Sequence, residues 1–178
     1  MSDIDPLSAM YPRIGRGIGR VRLAKLPTPL REHAIPVDGG SRPVWVKHDE
    51  ETSERYGGNK VRKLEYLLCP RNAQAARRFA TFGTVGSHHA LATALHARAL
   101  GYECSCFLAH QSKAPGIAAV LGAHAAVGTE IVRYGGAYAA RIATLRKHLW
   151  HRQARVVPAG GSSWHGTLGF VNAALELA

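Results

Sequence analysis

The sequence predicts an α/β fold built on a parallel sheet, and three observations carry that prediction. Residues 79–108 read as strand, helix, strand, a unit that calls for parallel strands and a right-handed crossover. Strand-like and helix-like segments continue to alternate through the second half of the chain. The glycine-bearing turns Gly57–Lys60, Gly86–His89 and Gly160–Ser163 each lead into a helix, as turns do at the ligand-binding ends of parallel strands.

In chain order, residues 1–24 are poorly patterned. Arg13-Ile14-Gly15-Arg16-Gly17-Ile18-Gly19-Arg20 looks like a phosphate loop, but no strand precedes it and no convincing helix follows. It reads as a basic arm able to touch nucleic acid or as a plain mobile terminus. Leu26-Pro27-Thr28-Pro29-Leu30 is rigid and extended, because each proline restricts the residue before it. Pro36 to Pro43 is a turn region around Gly39 and Gly40, and Val44-Trp45-Val46-Lys47 is a strand. The run His48-Asp49-Glu50-Glu51 leaves that strand; its carboxylates either pair with lysines of the next helix or face water. After Gly57-Gly58, Asn59 is expected to cap a helix whose apolar spacing is Leu64, Leu67, Leu68. Asn72 to Arg78 continues helical or forms a second short helix.

Phe79-Ala80-Thr81-Phe82 is a buried strand, Ala90 to Leu100 an Ala/Leu-rich helix closed by Gly101, and Cys104 to Leu108 the next strand. Pro115 to Leu121 reads as a helix, Ala123 to Val127 as a short strand, and Gly135-Gly136 as a turn. Ala137 to Trp150 is a long helix, Val156-Val157-Pro158 a strand, and Thr167 to Ala178 a last helix. Leu175-Glu176-Leu177-Ala178 shows no cap or glycine stop, so the chain is expected to end inside that helix, as a fragment would.

Composition is globular, 46% hydrophobic and 20% charged, with a formal net charge of +11. That charge raises nucleic acid, anionic membrane or an acidic ligand as partners, but it is spread over Arg71, Arg77, Arg78, Arg141, Arg146, Lys147, Arg152 and Arg155, which suits a solvated basic surface better. No apolar run has the length of a membrane span, and the acidic N-terminus is not a signal peptide. Cys69, Cys104 and Cys106 are read as reduced core thiols of a cytoplasmic protein. The chain has 10 histidines, yet none forms a tight zinc spacing, so no metal is expected.

Lys60 at a helix start and Lys63 one turn on share a face. Two ammonium groups beside free helix N–H groups suit an anion. A lysine near other cations releases its proton more easily, which favours an imine with an aldehyde. The chemical reading is a Schiff-base lysine beside a phosphate-bearing cofactor, which suggests pyridoxal phosphate; the bland one is a basic, solvated helix start. Ser87 is either a substrate-facing hydroxyl with His88 and His89 as proton carriers or cofactor contacts, or a serine cap with two surface histidines. Gly160-Gly161-Ser162-Ser163 either holds a phosphate or carboxylate on backbone N–H groups or is only a tight turn and cap.

Five blocks in one order carry a resemblance: Leu26-Pro27-Thr28-Pro29-Leu30, Val46-Lys47-His48-Asp49, Gly58 through Tyr66, Gly86-Ser87-His88-His89, and Gly160-Gly161-Ser162-Ser163 through Gly169-Phe170-Val171-Asn172-Ala173. Over residues 23 to 178 the chain resembles the aminocyclopropane-carboxylate deaminase and D-cysteine desulfhydrase family of pyridoxal phosphate enzymes, with the tryptophan-synthase-β-like, three-layer parallel-sheet fold. The resemblance implies a lyase or deaminase acting on a small amino acid, homodimeric at full length. Lys60 would carry the cofactor as an imine and shuttle the α-proton. Lys63 would contact the cofactor phosphate, Ser87 would face substrate, and Asn59, His88 and Gly161 would line the cofactor. His88 stands where the family usually has asparagine, Gly86 where it has glutamine, and His48 where it has arginine, which puts the substrate in doubt more than the cofactor.

The resemblance also implies a division. Residues 1–63 begin a large domain, 64–156 form a small α/β domain, and 157–178 resume the large domain, most of which is absent. A truncated, inactive product and a basic nucleic-acid-binding module are the alternative readings.

Overall fold

The computed structural model describes residues 6–73, 76–112, 114–135 and 154–178. Its centre is a four-stranded sheet in the order β5-β4-β3-β6, formed by β3 (Arg78–Thr84), β4 (Glu103–Ala109), β5 (Glu130–Arg133) and β6 (Ala154–Val157). Every pairing is parallel, with Phe79 opposite Cys104 and Thr81 opposite both Cys106 and Val157. The parallel α/β expectation therefore holds. Apolar and small residues alternate little along β3 and β4 because both strands are buried.

Helix α3 (Asn59–Leu67) and α5 (His88–Ala99) close over this sheet. Leu64, Leu67 and Leu68 pack into one core with Phe79, Ala90, Ala94, Ala97, Cys104, Cys106 and Val157. The Cys104 and Cys106 sulfurs lie 3.9 Å apart on one strand face, and both thiols are free. Helix α6 (Ile117–Ala126) runs through the segment that the sequence suggested as a strand at 123–127; the strand, β5, comes only after the left-handed Gly128. Alanine-rich sequence with a single β-branched residue at its end favours the helix. Of the two expectations for 72–78 the second short helix is the nearer: α4 (Pro70–Ala73) is separate from α3 but lies earlier, and Arg78 already belongs to β3. The helix expected over 137–150 lies outside the described residues.

Near the N-terminus the differences are larger. Helices α1 (Pro6–Met10) and α2 (Pro12–Gly17) occupy the stretch without pattern. Leu7 buries itself with Tyr66 and Leu168. The basic glycine-rich run is tied down: buried Glu65 accepts Arg20 Nη2 at 2.7 Å and the main-chain N–H groups of Leu23 and Ala24 at 2.9 Å each. Pro36 to Pro43, expected as a turn region, belongs mostly to an antiparallel hairpin of β1 (Leu30–Val37) and β2 (Gly40–Lys47). Its residues are exposed on both faces, so no hydrophobic alternation marked β1. The last helix, α7 (Trp164–Leu175), stops at Leu175, with Glu176 at its C-cap, three residues earlier than the sequence suggested.

Candidate cofactor-binding site

The start of α3 is shaped by the short 3-10 turn Asp49–Thr52. The Asp49 carbonyl accepts the Gly58 N–H at 2.8 Å, while its carboxylate takes the Arg62 guanidinium at 2.8 to 3.0 Å. One residue thus pins the chain on both sides of Lys60. Arg62 is 1% exposed and also binds Thr28 and Glu176. The polar run His48–Glu51 therefore reaches the next helix through Asp49 and its arginine, not through a lysine. Gly57 sits so close to this turn that a Cβ would lie 1.8 Å from the Glu50 carbonyl oxygen.

Gly58, at φ 118°, is the N-cap, and Asn59 is the first helical residue. Only glycine adopts that backbone cheaply, which moves the helix start one residue ahead of the expected asparagine cap. Asn59 is exposed and its side-chain oxygen accepts the Lys60 amine at 3.2 Å. No side chain caps α3, so its leading N–H groups are open to an anionic ligand.

Lys60 is half-buried. The Lys63 amine donates to the Gly160 carbonyl at 3.1 Å and stands 5.0 Å over the Phe170 ring. Burial, and then the neighbouring Lys60 charge, hold the Lys63 amine below the usual lysine range. Gly160 and Gly161 both have left-handed backbones, at φ 64° and 66°. A Cβ on Gly161 would meet Lys63 Cδ at 3.1 Å. The turn after β6 thus lies against the lysine face of α3, and Ser163 caps α7 by accepting the Gly166 N–H at 3.1 Å.

The third turn enters α5. Ser87 is its N-cap, accepting the Ala90 N–H at 3.2 Å. His88 is exposed and its Nδ1 shares a 2.5 Å hydrogen bond with the Tyr56 hydroxyl, whose residue also takes His96 Nε2 on its carbonyl at 3.1 Å. Tyr56 thus ties the 53–58 loop to α5, a role that no spacing rule in the sequence indicated. His89 points inward. Its Nε2 lies 3.1 Å from the Thr81 hydroxyl, which donates to the Val157 carbonyl at 3.0 Å, so the imidazole is the donor to threonine. Burial pushes its pKa down to about 4; a hydrogen bond to the Pro158 carbonyl opposes the fall and the Lys60 and Lys63 charges add to it. His89 is neutral near pH 7.

Lys60 and Lys63 on α3, His89 on α5 and the Gly160-Gly161 turn after β6 thus interact with one another, joining three segments distant in sequence. The amines and the open N–H groups form a donor set suited to a phosphate-bearing carbonyl compound, beside a neutral imidazole whose own N–H is taken by Thr81. Ser87 and His88 stand on the adjoining helix start.

The chain shows 35% identity over 167 residues to nocardicin C-9' epimerase of Nocardia uniformis subsp. tsuyamanensis, covering 88% of this chain and 50% of that protein. It shows 31% identity to D-cysteine desulfhydrase of Yersinia enterocolitica, covering 89% of this chain and 51% of the relative. A solved structure of an ACC deaminase homologue superposes with TM-score 0.74 at 28% identity, covering 99% of this chain and 54% of that one. The chain spans about half the length of these relatives. Residues 21–178 match the family described as pyridoxal-phosphate dependent enzyme. With the lysine-bearing turn and parallel sheet already in place, that match shows that the chain belongs to the pyridoxal-phosphate-dependent enzyme family.

Proposed function

We propose that this chain forms the lysine-bearing half of a pyridoxal-phosphate-dependent lyase or deaminase of the D-cysteine desulfhydrase and aminocyclopropane-carboxylate deaminase type, acting on a small amino acid. The observation that carries the reading is the placement of Lys60 and Lys63 beside buried His89 and the Gly160-Gly161 turn. Those groups fit the cofactor: an amine for its aldehyde, a second cation and uncapped N–H groups for its phosphate. When bound, pyridoxal phosphate supplies an electron sink for the substrate α-carbon.

In this reading Lys60 attaches the cofactor and holds or returns the proton at the substrate α-carbon. Lys63 and the uncapped N–H groups at the start of α3 hold the phosphate, and Gly161 lines the cofactor. Asn59 orients the Lys60 amine, to which it is hydrogen-bonded. His88, steadied by Tyr56, borders the cofactor ring. Ser87 turns its hydroxyl to the substrate. The division at residues 63 and 156, the homodimer and a cytoplasmic location are parts of the same proposal. Among the described residues no helix is long and apolar enough to cross a membrane.

A second reaction, epimerisation at the same carbon, is supported by the 35% identity to an epimerase. Desulfhydration and epimerisation both begin by removing an α-proton; in the first the β-sulfur then leaves, and in the second the proton returns on the opposite face and nothing leaves, whereas aminocyclopropane carboxylate has no α-proton to remove.

The test is borohydride reduction of the protein mixed with pyridoxal phosphate, followed by peptide mass mapping. The expected result is one dominant pyridoxyl adduct, on Lys60. Adducts spread evenly over exposed lysines would sink the assignment. If the 178-residue chain alone shows no adduct but a longer protein containing it labels Lys60, the alternative of an inactive shortened product is the better one.

A further inference from the structure

Away from the lysines, the open end of the hairpin gathers a second set of ligand-forming side chains. His33 on β1 and His48, just after β2, face each other with their Nε2 atoms 3.0 Å apart. Their rings are 5.1 Å apart between centroids and tilted by 40°. The other nitrogen of His48, Nδ1, is 2.5 Å from a Glu50 carboxylate oxygen. A carboxylate can only accept, so His48 Nδ1 carries the proton and its Nε2 presents a lone pair toward His33. Glu51 stands in the same group: one ligand atom each from His48, Glu50 and Glu51 all lie within 4.8 Å of one another. Glu51 is paired with Arg31 at 2.5 Å, a contact in which both side chains are more than two-fifths exposed.

We propose that His33 and His48 bind a divalent transition-metal ion such as Zn²⁺ or Ni²⁺ through their Nε2 atoms, with Glu50 orienting His48.

Imidazole nitrogen suits these ions. Two nitrogens at about 2.0–2.1 Å from one tetrahedral ion stand roughly 3.3 Å apart. The observed 3.0 Å is a few tenths short, a gap that two side chains at the end of an exposed hairpin open by small rotations. In the ion-free state His33 donates its Nε2 proton to His48 Nε2, and binding through both Nε2 atoms moves that proton to His33 Nδ1, so both rings bind as neutral imidazoles. The carboxylate on the far nitrogen of a ligating histidine is the arrangement that fixes its tautomer and raises its basicity. Spacing along the sequence does not reveal the site, since its two histidines come from different strands and are 15 residues apart. The segment that would be held, Asp49-Glu50, is the one on which Gly57 and Gly58 rest, so a bound ion stiffens the approach to Lys60. The metal site itself does not depend on the cofactor reading.

The experiment is isothermal titration calorimetry of the tag-free 178-residue protein with Zn²⁺ and, separately, Ni²⁺ at pH 7.5, without pyridoxal phosphate. One equivalent is expected to bind. His33→Ala and His48→Gln are each expected to weaken binding by at least about tenfold, and Glu50→Gln by roughly tenfold. Circular dichroism confirms that His33→Ala, at an exposed position, keeps the fold. No binding by the parent protein, or equal binding by the parent and the His33→Ala variant, overturns the proposal.

Discussion

Arg62 and Glu176 are 114 residues apart in sequence and meet through paired hydrogen bonds of 2.7 and 3.0 Å, with side chains only 1% and 2% exposed. Asp49 holds the other edge of the same guanidinium, and Lys47 reaches Glu176 at 2.7 Å. Two cations and two anions thus balance in the core between the hairpin, α3 and α7. Glu176→Ala leaves the arginine half-paired and strands Lys47. Removing one partner of a buried ion pair costs about 3–5 kcal/mol, so urea unfolding should show a loss of that size. A loss below about 1 kcal/mol, the value for an exposed pair, would contradict the buried balance.

Stability should depend on pH through the buried histidines. His89 has its pKa lowered to about 4, and burial lowers His96 and His124 as well. The unfolded chain takes up protons from about pH 6.5 downward, before the folded one does. Stability contributed by these neutral imidazoles is therefore complete above pH 6.5 and declines as pH falls toward 4. Each group contributes a slope of about 1.4 kcal/mol per pH unit. Denaturant midpoints at pH 7, 6 and 5 should show the decline, and His89→Gln should make it shallower. An unchanged slope in that variant would mean His89 is not the buried neutral group described.

Lys60→Gln should alter the chemistry of its neighbour. Lys63 is held below the usual lysine range first by burial and then by the Lys60 charge. Without that charge the Lys63 amine should bind its proton more tightly. Reductive methylation with carbon-13 formaldehyde, followed by NMR titration, would place the Lys63 signal. The expected change is an upward shift of its midpoint; no shift would show that the two amines do not sense each other.

Ser87→Ala tests the cap apart from any role with substrate. Loss of a serine N-cap costs about 1 kcal/mol, here the 3.2 Å bond from the Ala90 N–H. Ser87→Thr should recover most of it. If the alanine variant is as stable as the parent, the serine is not fixing the start of α5.

Much of the layout was readable in the chain. Strands β3 and β4 and helix α5 announced themselves because both strands are buried and the helix is rich in alanine and leucine. All three turns that bring Lys60, Ser87 and Gly161 forward were marked by glycines, and in two of them Gly58, Gly160 and Gly161 adopt positive-φ backbones that need glycine. Other features left little trace. Strand β1 is exposed on both faces, so its sequence carries no alternation. Arg62 looked like one more charge in a basic helix, because its anions come from Asp49 and Glu176, and long-range pairing leaves no local pattern. Tyr56 was missed for the same reason: its partner His88 lies across a loop and a strand.

Gly169 gives the close contact of α3 and α7 a consequence for synthesis. Its missing side chain lets α7 lie on the main chain of α3, where a Cβ would stand 2.4 Å from the Arg62 carbonyl oxygen. A chain growing on the ribosome therefore makes the lysine turn long before it makes the surface on which that turn is seated. Until residues 164–176 emerge, Arg62 lacks one of its two counterions, and the nascent segment offers a buried-type cation to whatever waits at the tunnel exit.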